Sequence, residues 1–415
     1  MVMTRVLASP HPERAAAAQA EGGLGLALYH VGHPGLAGIG HTLPHEVRKL
    51  PQRPTVRAWD FLSIALAVYG ADRFNARHSS PDGWTRMIAL EVEVVEPDPW
   101  SAQAARLADA LRFLSGDIWH VSFRAGGQSP PDFPQRLTDR DCTCLFSGGL
   151  DSLIGAIDLT AAGRRPVLVS HASPKEGPIQ QYLADRIGLA QHRFEGHATE
   201  RAAPPYEPSS RSRSVLFFAF GALAAAGLGG ELFVPENGLI SINPPLTPRR
   251  VGSLSTRTTH PHFVGSIQTI FDHVDLGVRI VNPYTHKTKG EMLAQCADPA
   301  IAEIAPASYS CGKGKRLNKQ CGRCVPCLIR RAAFLKAGIA DLTIYAADDL
   351  TRHATNDDVY AARLAAIKLA HRDVARWAAE AGPLPIDPAC REAHVGVVRR
   401  GLEELSDFLG TVPWP

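Results

Sequence analysis

Cys142-Thr-Cys-Leu-Phe-Ser-Gly-Gly-Leu-Asp-Ser-Leu-Ile-Gly155 is the stretch whose reading decides the fold. Cys142 to Phe146 is a short, mostly apolar run of strand length, and Ser147-Gly148-Gly149 is a tight turn. A helix is expected from Asp151, with Leu153, Ile154 and Ile157 as its apolar positions. A Gly-rich turn between strand and helix leaves backbone N–H groups free to point at an anion, and the helix N-terminus adds roughly half a positive charge there. The hydroxyls of Ser147 and Ser152 can add hydrogen bonds. The whole reads as a pyrophosphate cradle. It lacks the lysine of a Walker A loop and the spacing of a dinucleotide fingerprint, so neither accounts for it. A bare Gly-Gly pair would be only a connection; the Ser, Asp and Ser around it carry the functional reading.

Working outward, Pro166 to His171 is a second continuous apolar strand, and the helix between the two gives a βαβ unit and hence a parallel sheet. Gln180 to Leu189 is expected helical and His192 to Glu195 a short strand. Ser214 to Leu228 reads as an Ala-rich core helix, too short to cross a membrane, and Glu231 to Pro235 and Arg279 to Pro283 as further strands. Ligands of open parallel sheets bind beyond the carboxyl ends of the strands. Ser147, Ser170-His171 and Glu236-Asn237 all fall at such ends and are expected to face one cleft. Asn243 to Phe263, with Arg249-Arg250, holds no regular pattern and reads as a long loop. Within it Arg257 and His260 are candidates to close over a phosphate or carboxylate, and Lys289, near a helix start, is a candidate phosphate contact.

A length of 415 residues allows more than one domain, and a hydrophobic content of 45% supports a full core. The net charge of +3 argues against a nucleic-acid partner. No run approaches the ~20 apolar residues of a membrane span, and Met1 to Gly23 lacks the apolar core of a signal peptide, so a cytoplasmic protein is expected. Residues 1–136 read as an α+β unit: strands at Gly25 to Val31, Met87 to Val95 and Ile118 to Phe123, helices at Ala58 to Phe74 and Trp100 to Leu114. Asp72-Arg73 and Trp84 with Arg86 read there as packing and ion pairs rather than a binding surface. The turn-rich Gly126 to Pro131 marks the boundary, residues 137–345 form the α/β parallel-sheet unit, and residues 346–415 a helical tail of packing without chemistry.

Four of the eight cysteines cluster. Cys321-Gly-Arg-Cys324-Val-Pro-Cys327 sets three thiols at spacings of three, and Cys311 supplies a fourth. Four thiolates in a tetrahedron suit structural Zn2+ and leave no open position; an iron–sulfur cluster is the rival, disfavoured because no electron-transfer chemistry accompanies it. Cys142, Cys144, Cys296 and Cys390 read as core thiols.

Ser147 to Ser152 resembles the pyrophosphate loop of the N-type ATP pyrophosphatases. That loop, then Arg213 with Phe217, then Lys289 with Glu291, then the four cysteines, resembles in order the pattern of the QueC, or 7-cyano-7-deazaguanine synthase, family. The resemblance covers roughly residues 140–340 and implies an adenine nucleotide α-hydrolase-like domain using ATP and Mg2+, a structural zinc, and a 7-deazaguanine carboxylate as substrate. It implies Ser147, Asp151, Ser152 and Lys289 as catalytic residues. Leu145, Phe146, Ser147 to Ser152 (with Gly148, Gly149 and Leu150), Ser170 and Arg213 would line the nucleotide site. The stretch Glu236 to Pro261 departs from the family's substrate segment, so Glu236, Asn237, Arg257 and His260 are substrate-site candidates from their own positions at a strand end and in the loop. The unmatched first unit and tail look more like the QueC-like proteins of anti-phage defence, of the QatC and CBASS-associated kind. For those relatives the resemblance implies coupling of a deazaguanine carboxylate to an amine of a partner protein from the same operon. A nitrile synthase using ammonia and a non-catalytic nucleotide-binding scaffold are the competing readings, and a homodimer is compatible with each.

Overall fold

The computed structural model describes residues 3–32, 35–171, 176–199, 207–208, 211–247, 257–313 and 319–414. The strands are β1 (Met3–Ser9), β2 (Leu24–Leu28), β3 (Ala37–Ile39), β4 (Met87–Val94), β5 (Ile118–Ala125), β6 (Cys142–Leu145), β7 (Pro166–His171), β8 (Gln191–Phe194), β9 (Ala198–Thr199), β10 (Glu231–Phe233) and β11 (Arg279–Val281). They form two sheets among the described residues, in the orders β5-β4-β1-β2-β3-β9 and β11-β10-β6-β7-β8. Every pairing is parallel except that of β3 with the short β9.

The first sheet corrects the α+β expectation for residues 1–136. Its central strand is Met3–Ser9, flanked by β4 and β2 in parallel register. That strand went unrecognised because its apolar Val6 and Ala8 sit in an Ala-rich run whose period is dominated by the following helix, Pro12–Ala20. With β1 in place, helical crossovers link parallel neighbours, and the unit is α/β.

The two sheets are joined by helices. Val56–Arg73 packs on the first sheet, Arg213–Ala225 on the second, and the two helices pack on each other. Both are apolar almost all round, as a helix buried on two sides must be. Where Arg213–Ala225 crosses the second sheet, a Cβ on Gly221 would lie 2.5 Å from Leu232 and 2.9 Å from Leu145, so only glycine permits that approach. One buried core runs from Val6 and Leu26 through Trp59 and Phe61 to Phe218 and Phe271, across the irregular segment at 126–136. A buried ion network reinforces the joint. Arg86 donates to Asp72 (2.6 Å) and Asp117 (2.6 Å), and Asp72 also accepts from the Ser212 backbone N–H (3.0 Å) and hydroxyl (2.6 Å), one residue before the Arg213–Ala225 helix. The expectation of packing and ion pairs around Asp72 and Arg86 is met.

The other face of the second sheet carries Cys142, Cys144 and Phe146 against the Leu150–Ala161 helix, in a separate core with Met292, Leu293 and Phe334. Helix Pro388–Gly410 packs beside the Val325–Ala337 and Lys289–Ala294 helices. Part of the expected 243–263 loop is helical instead: Pro261–His273 begins inside it, because His260 caps its N-terminus and Pro261 presets the first turn. Arg249 and Arg250 lie outside the described residues. No described helix is long and apolar enough to cross a membrane.

Candidate active site

In the second sheet the chain runs from β6 through β7 to β8 on one side, while β10 and β11 fill the other. The carboxyl ends of β6 and β10 therefore flank the point where strand order reverses, where open α/β sheets bind ligands. Ser147–Gly149 leaves β6 there, and Pro235–Asn237 follows β10. Gly148 has φ +77°, a conformation that favours glycine, and a Cβ on it would press against Gln180 at 3.2 Å. The turn is held by its own hydroxyls: Ser147 and Ser152 lie 3.2 Å apart, the Gly149 N–H donates to Ser147 (3.2 Å), and Ser152 donates to the Gly149 carbonyl (3.0 Å). The helix Leu150–Ala161 starts at once behind it.

Beneath the loop lies a buried charge cluster. Asp151 accepts from the Lys289 ammonium (2.6 Å), the Asn237 side-chain amide (2.7 Å) and the Asn237 backbone N–H (3.1 Å). Burial works to raise the Asp151 carboxyl, but the Lys289 charge and these hydrogen bonds hold it down, at about 2. Glu236, touching Asp151, is pushed well above the usual carboxylate range, first by burial and then by the Asp151 charge. The two neighbouring carboxyl groups are thus shifted in opposite directions, and Lys289 donates to Asp151. Lys289 is delivered by a capping box: Thr288 accepts from the Glu291 N–H (3.0 Å), and Glu291 accepts from the Thr288 N–H (2.8 Å).

Cys311, Cys321, Cys324 and Cys327 are buried together, with Cys311–Cys324 sulfurs 3.7 Å apart and Cys321–Cys327 sulfurs 3.9 Å apart. A tetrahedron with Zn–S bonds of about 2.3 Å has sulfurs about 3.8 Å apart, so the donor set fits zinc, which these four residues would hold as a closed structural site. The cluster is tied to the loop. Tyr309 N–H donates to the Gly148 carbonyl (2.7 Å), and Leu150 N–H reaches the Ser310 hydroxyl (3.4 Å), one residue before Cys311. Arg330, fully buried, donates to Ser308 (2.8 Å), Ser310 (3.4 Å) and Thr343 (3.2 Å), holding the segment in place.

Comparison with known proteins finds two kinds of match. Residues 258–338 match the model of the family described as Queuosine biosynthesis protein QueC. That span includes Lys289 and the four cysteines. The chain is also 28% identical over 239 residues to the 7-cyano-7-deazaguanine synthases of Brucella canis and of Brucella suis biovar 1, covering 51% of this chain and 96% of each relative.

A cavity of about 200 Å³ collects Ser147, Gly149, Leu150, Asp151, Ser152, Glu236 and Lys289, with Asn237 directly behind Asp151. Other expected residues point elsewhere. Ser170 is fully buried and donates to the Phe146 carbonyl (2.5 Å), so it braces the strand end that carries the loop. Phe146 lies in the core, and Leu145 faces the Arg213–Ala225 helix side. Arg213 donates to His171 (3.1 Å) and Glu176 (2.9 Å) and does not line the cavity. Arg257 donates to the Phe113 carbonyl (2.9 Å) and stacks on that ring, while His260 is buried and caps a helix, so both join the two sheet units. Sequence reading missed Tyr309, Ser310 and Pro326 in the lining. Ser310 is adjacent to Cys311, and only that adjacency could have flagged it. Glu404 in the tail was also missed: it accepts from the Thr288 hydroxyl and the Gly290 N–H (3.3 Å), at the start of the helix that carries Lys289.

Proposed function

We propose that the cleft binds ATP with its phosphates over Ser147–Ser152 and activates the carboxylate of a 7-deazaguanine. The observation that carries this is the junction of the glycine turn, the Asp151–Lys289 pair and the cysteine segment at one strand-order reversal. A carboxylate oxygen attacks the α-phosphorus, the bond to the β-phosphate breaks, and an acyl-adenylate and pyrophosphate result. Lys289 and the hydroxyls of Ser147 and Ser152, all in the cavity lining, would meet the charge that develops on the leaving pyrophosphate. Magnesium, when bound, would neutralise triphosphate charge, and the carboxyl groups of Asp151 and Glu236 in the cavity lining are the residues that would hold it. An amine nitrogen then attacks the acyl carbon, AMP leaves with the acyl oxygen, and an amide remains.

With ammonia as the amine, the primary amide can be dehydrated by a second ATP to the nitrile, the product named for the Brucella relatives. A second reading, an amine on a partner protein, is supported by the extent of the match: the relatives are used over 96% of their length, yet only 51% of this chain is involved. A secondary amide formed that way cannot become a nitrile. Incubation with ATP, 7-carboxy-7-deazaguanine and ammonium, followed by mass spectrometry, separates the readings. Free amide or nitrile supports the first. Pyrophosphate release with neither product, unless an amine-bearing protein is added, supports the second. AMP formation that survives Ser147→Ala with Asp151→Ala would sink both.

A further inference from the structure

Cys390 departs from the expectation of a core thiol. It lies on the Pro388–Gly410 helix four residues before His394, so the two side chains share one face. Facing them is His286, on the segment that leads into Lys289. The three offer one imidazole nitrogen, one thiol and a second imidazole nitrogen, all within 4.8 Å of one another. We propose that His286, Cys390 and His394 form a second metal site, taking one zinc-class divalent cation and separate from the four-cysteine cluster.

The spacing supports it. His286 Nε2 is 3.3 Å from His394 Nδ1, and Cys390 Sγ is 3.7 Å from the same nitrogen. A tetrahedral ion with bonds of about 2.1 Å to nitrogen and about 2.3 Å to sulfur sets these separations near 3.4 and 3.6 Å. The competing reading is a core histidine packed for its own sake. His394, 2% exposed, uses its Nδ1–H on the Cys390 carbonyl (2.7 Å), a bond the ion would replace. What a histidine packed for its own sake does not need is the convergence of a second imidazole and a thiol on that same Nδ1.

The chemistry differs from that of the four cysteines. Two imidazoles and a thiolate leave a fourth position open, and His286 is exposed, so the ion would exchange with solvent. Binding replaces the thiol proton of Cys390 and the Nδ1 proton of His394; the ring proton moves to Nε2 and the thiol proton leaves to solvent. The ion would also fasten the tail helix to the Lys289 segment, where Arg400 already donates to the His286 carbonyl (2.8 Å) and to Glu291 (2.6 Å).

The test uses the full-length protein in equilibrium dialysis against Zn2+ alone, with bound metal read by elemental analysis. Wild type should hold one more equivalent than Cys390→Ser or His286→Ala. His286 is exposed, so its alanine variant keeps the fold and guards against a folding artefact. Zinc should also slow iodoacetamide labelling of Cys390 at least about tenfold in wild type, and leave it unchanged in His286→Ala. Equal metal content in all three proteins, or Cys390 labelling indifferent to zinc, overturns the proposal.

Discussion

Asp151 is the residue on which the candidate site turns. Its carboxylate is buried against Lys289, and removing one partner of such a pair leaves an uncompensated charge, at a cost of about 3–5 kcal/mol. Lys289→Met should lower stability by that order at neutral pH, measured by chemical denaturation. The pH dependence has a definite sign. The Asp151 carboxyl is depressed from 3.8 to about 2, so its contribution is present above pH 3.8 and is lost as pH falls through about 2. The gap between wild type and Lys289→Met should therefore narrow across that window; a gap constant from pH 6 to pH 2 would show that Asp151 is not the linked group. Ser147→Ala acts differently. Ser147 is exposed and braces only its own turn, so pyrophosphate release should fall roughly 100-fold with little change in melting temperature.

At the scale of elements, the short Lys289–Ala294 helix depends on a partner more than a hundred positions away in sequence. Glu404, on the tail helix, accepts from Thr288 and Gly290 at the N-terminus of that helix. Burial pushes its carboxyl up to about 7, against the opposing hydrogen bonds. Because the folded value lies above the ordinary 4.5, the folded chain holds this proton more tightly, and stability falls as pH rises from 4.5 to about 7. Glu404→Gln cannot ionise. Between pH 5 and pH 8 its stability relative to wild type should improve by about 1–3 kcal/mol, and a flat difference would count against the linkage. Glu404→Ala removes the acceptor altogether and should slow pyrophosphate release about tenfold or more by loosening Lys289. The tail is packing, as its apolar periodicity suggests, but through this residue it also supports the candidate site.

For the whole molecule, the continuous core predicts that the first sheet cannot be removed cleanly. Arg213–Ala225 is buried along nearly its whole surface, on one side by Val56–Arg73. A chain beginning at residue 137 should expose that face and be recovered largely insoluble, as judged by centrifugation after expression. The cysteine cluster has a comparable reach. Tyr309 and Ser310 brace the glycine turn, so chelation of the metal these cysteines would hold should abolish pyrophosphate release as well as lower the melting temperature. Retention of full activity after complete chelation would separate the cluster from the loop.

The sequence by itself determined the features that are local. A strand, a Gly-Gly turn and a helix within fourteen residues specify an anion cradle, because backbone geometry there depends on neighbours. The cysteine spacing likewise specifies its own cluster, and continuous apolar runs reveal the buried parallel strands. Tertiary structure decided what depends on distant partners. It made Met3–Ser9 a central strand, since an Ala-rich run has no decisive period of its own. It turned Arg257 and His260 toward Phe113 and away from the cavity, because a cation and an imidazole can brace a joint as well as bind a ligand. It also brought Glu404 to Lys289 and Cys390 to His286, pairings that no spacing along the chain encodes.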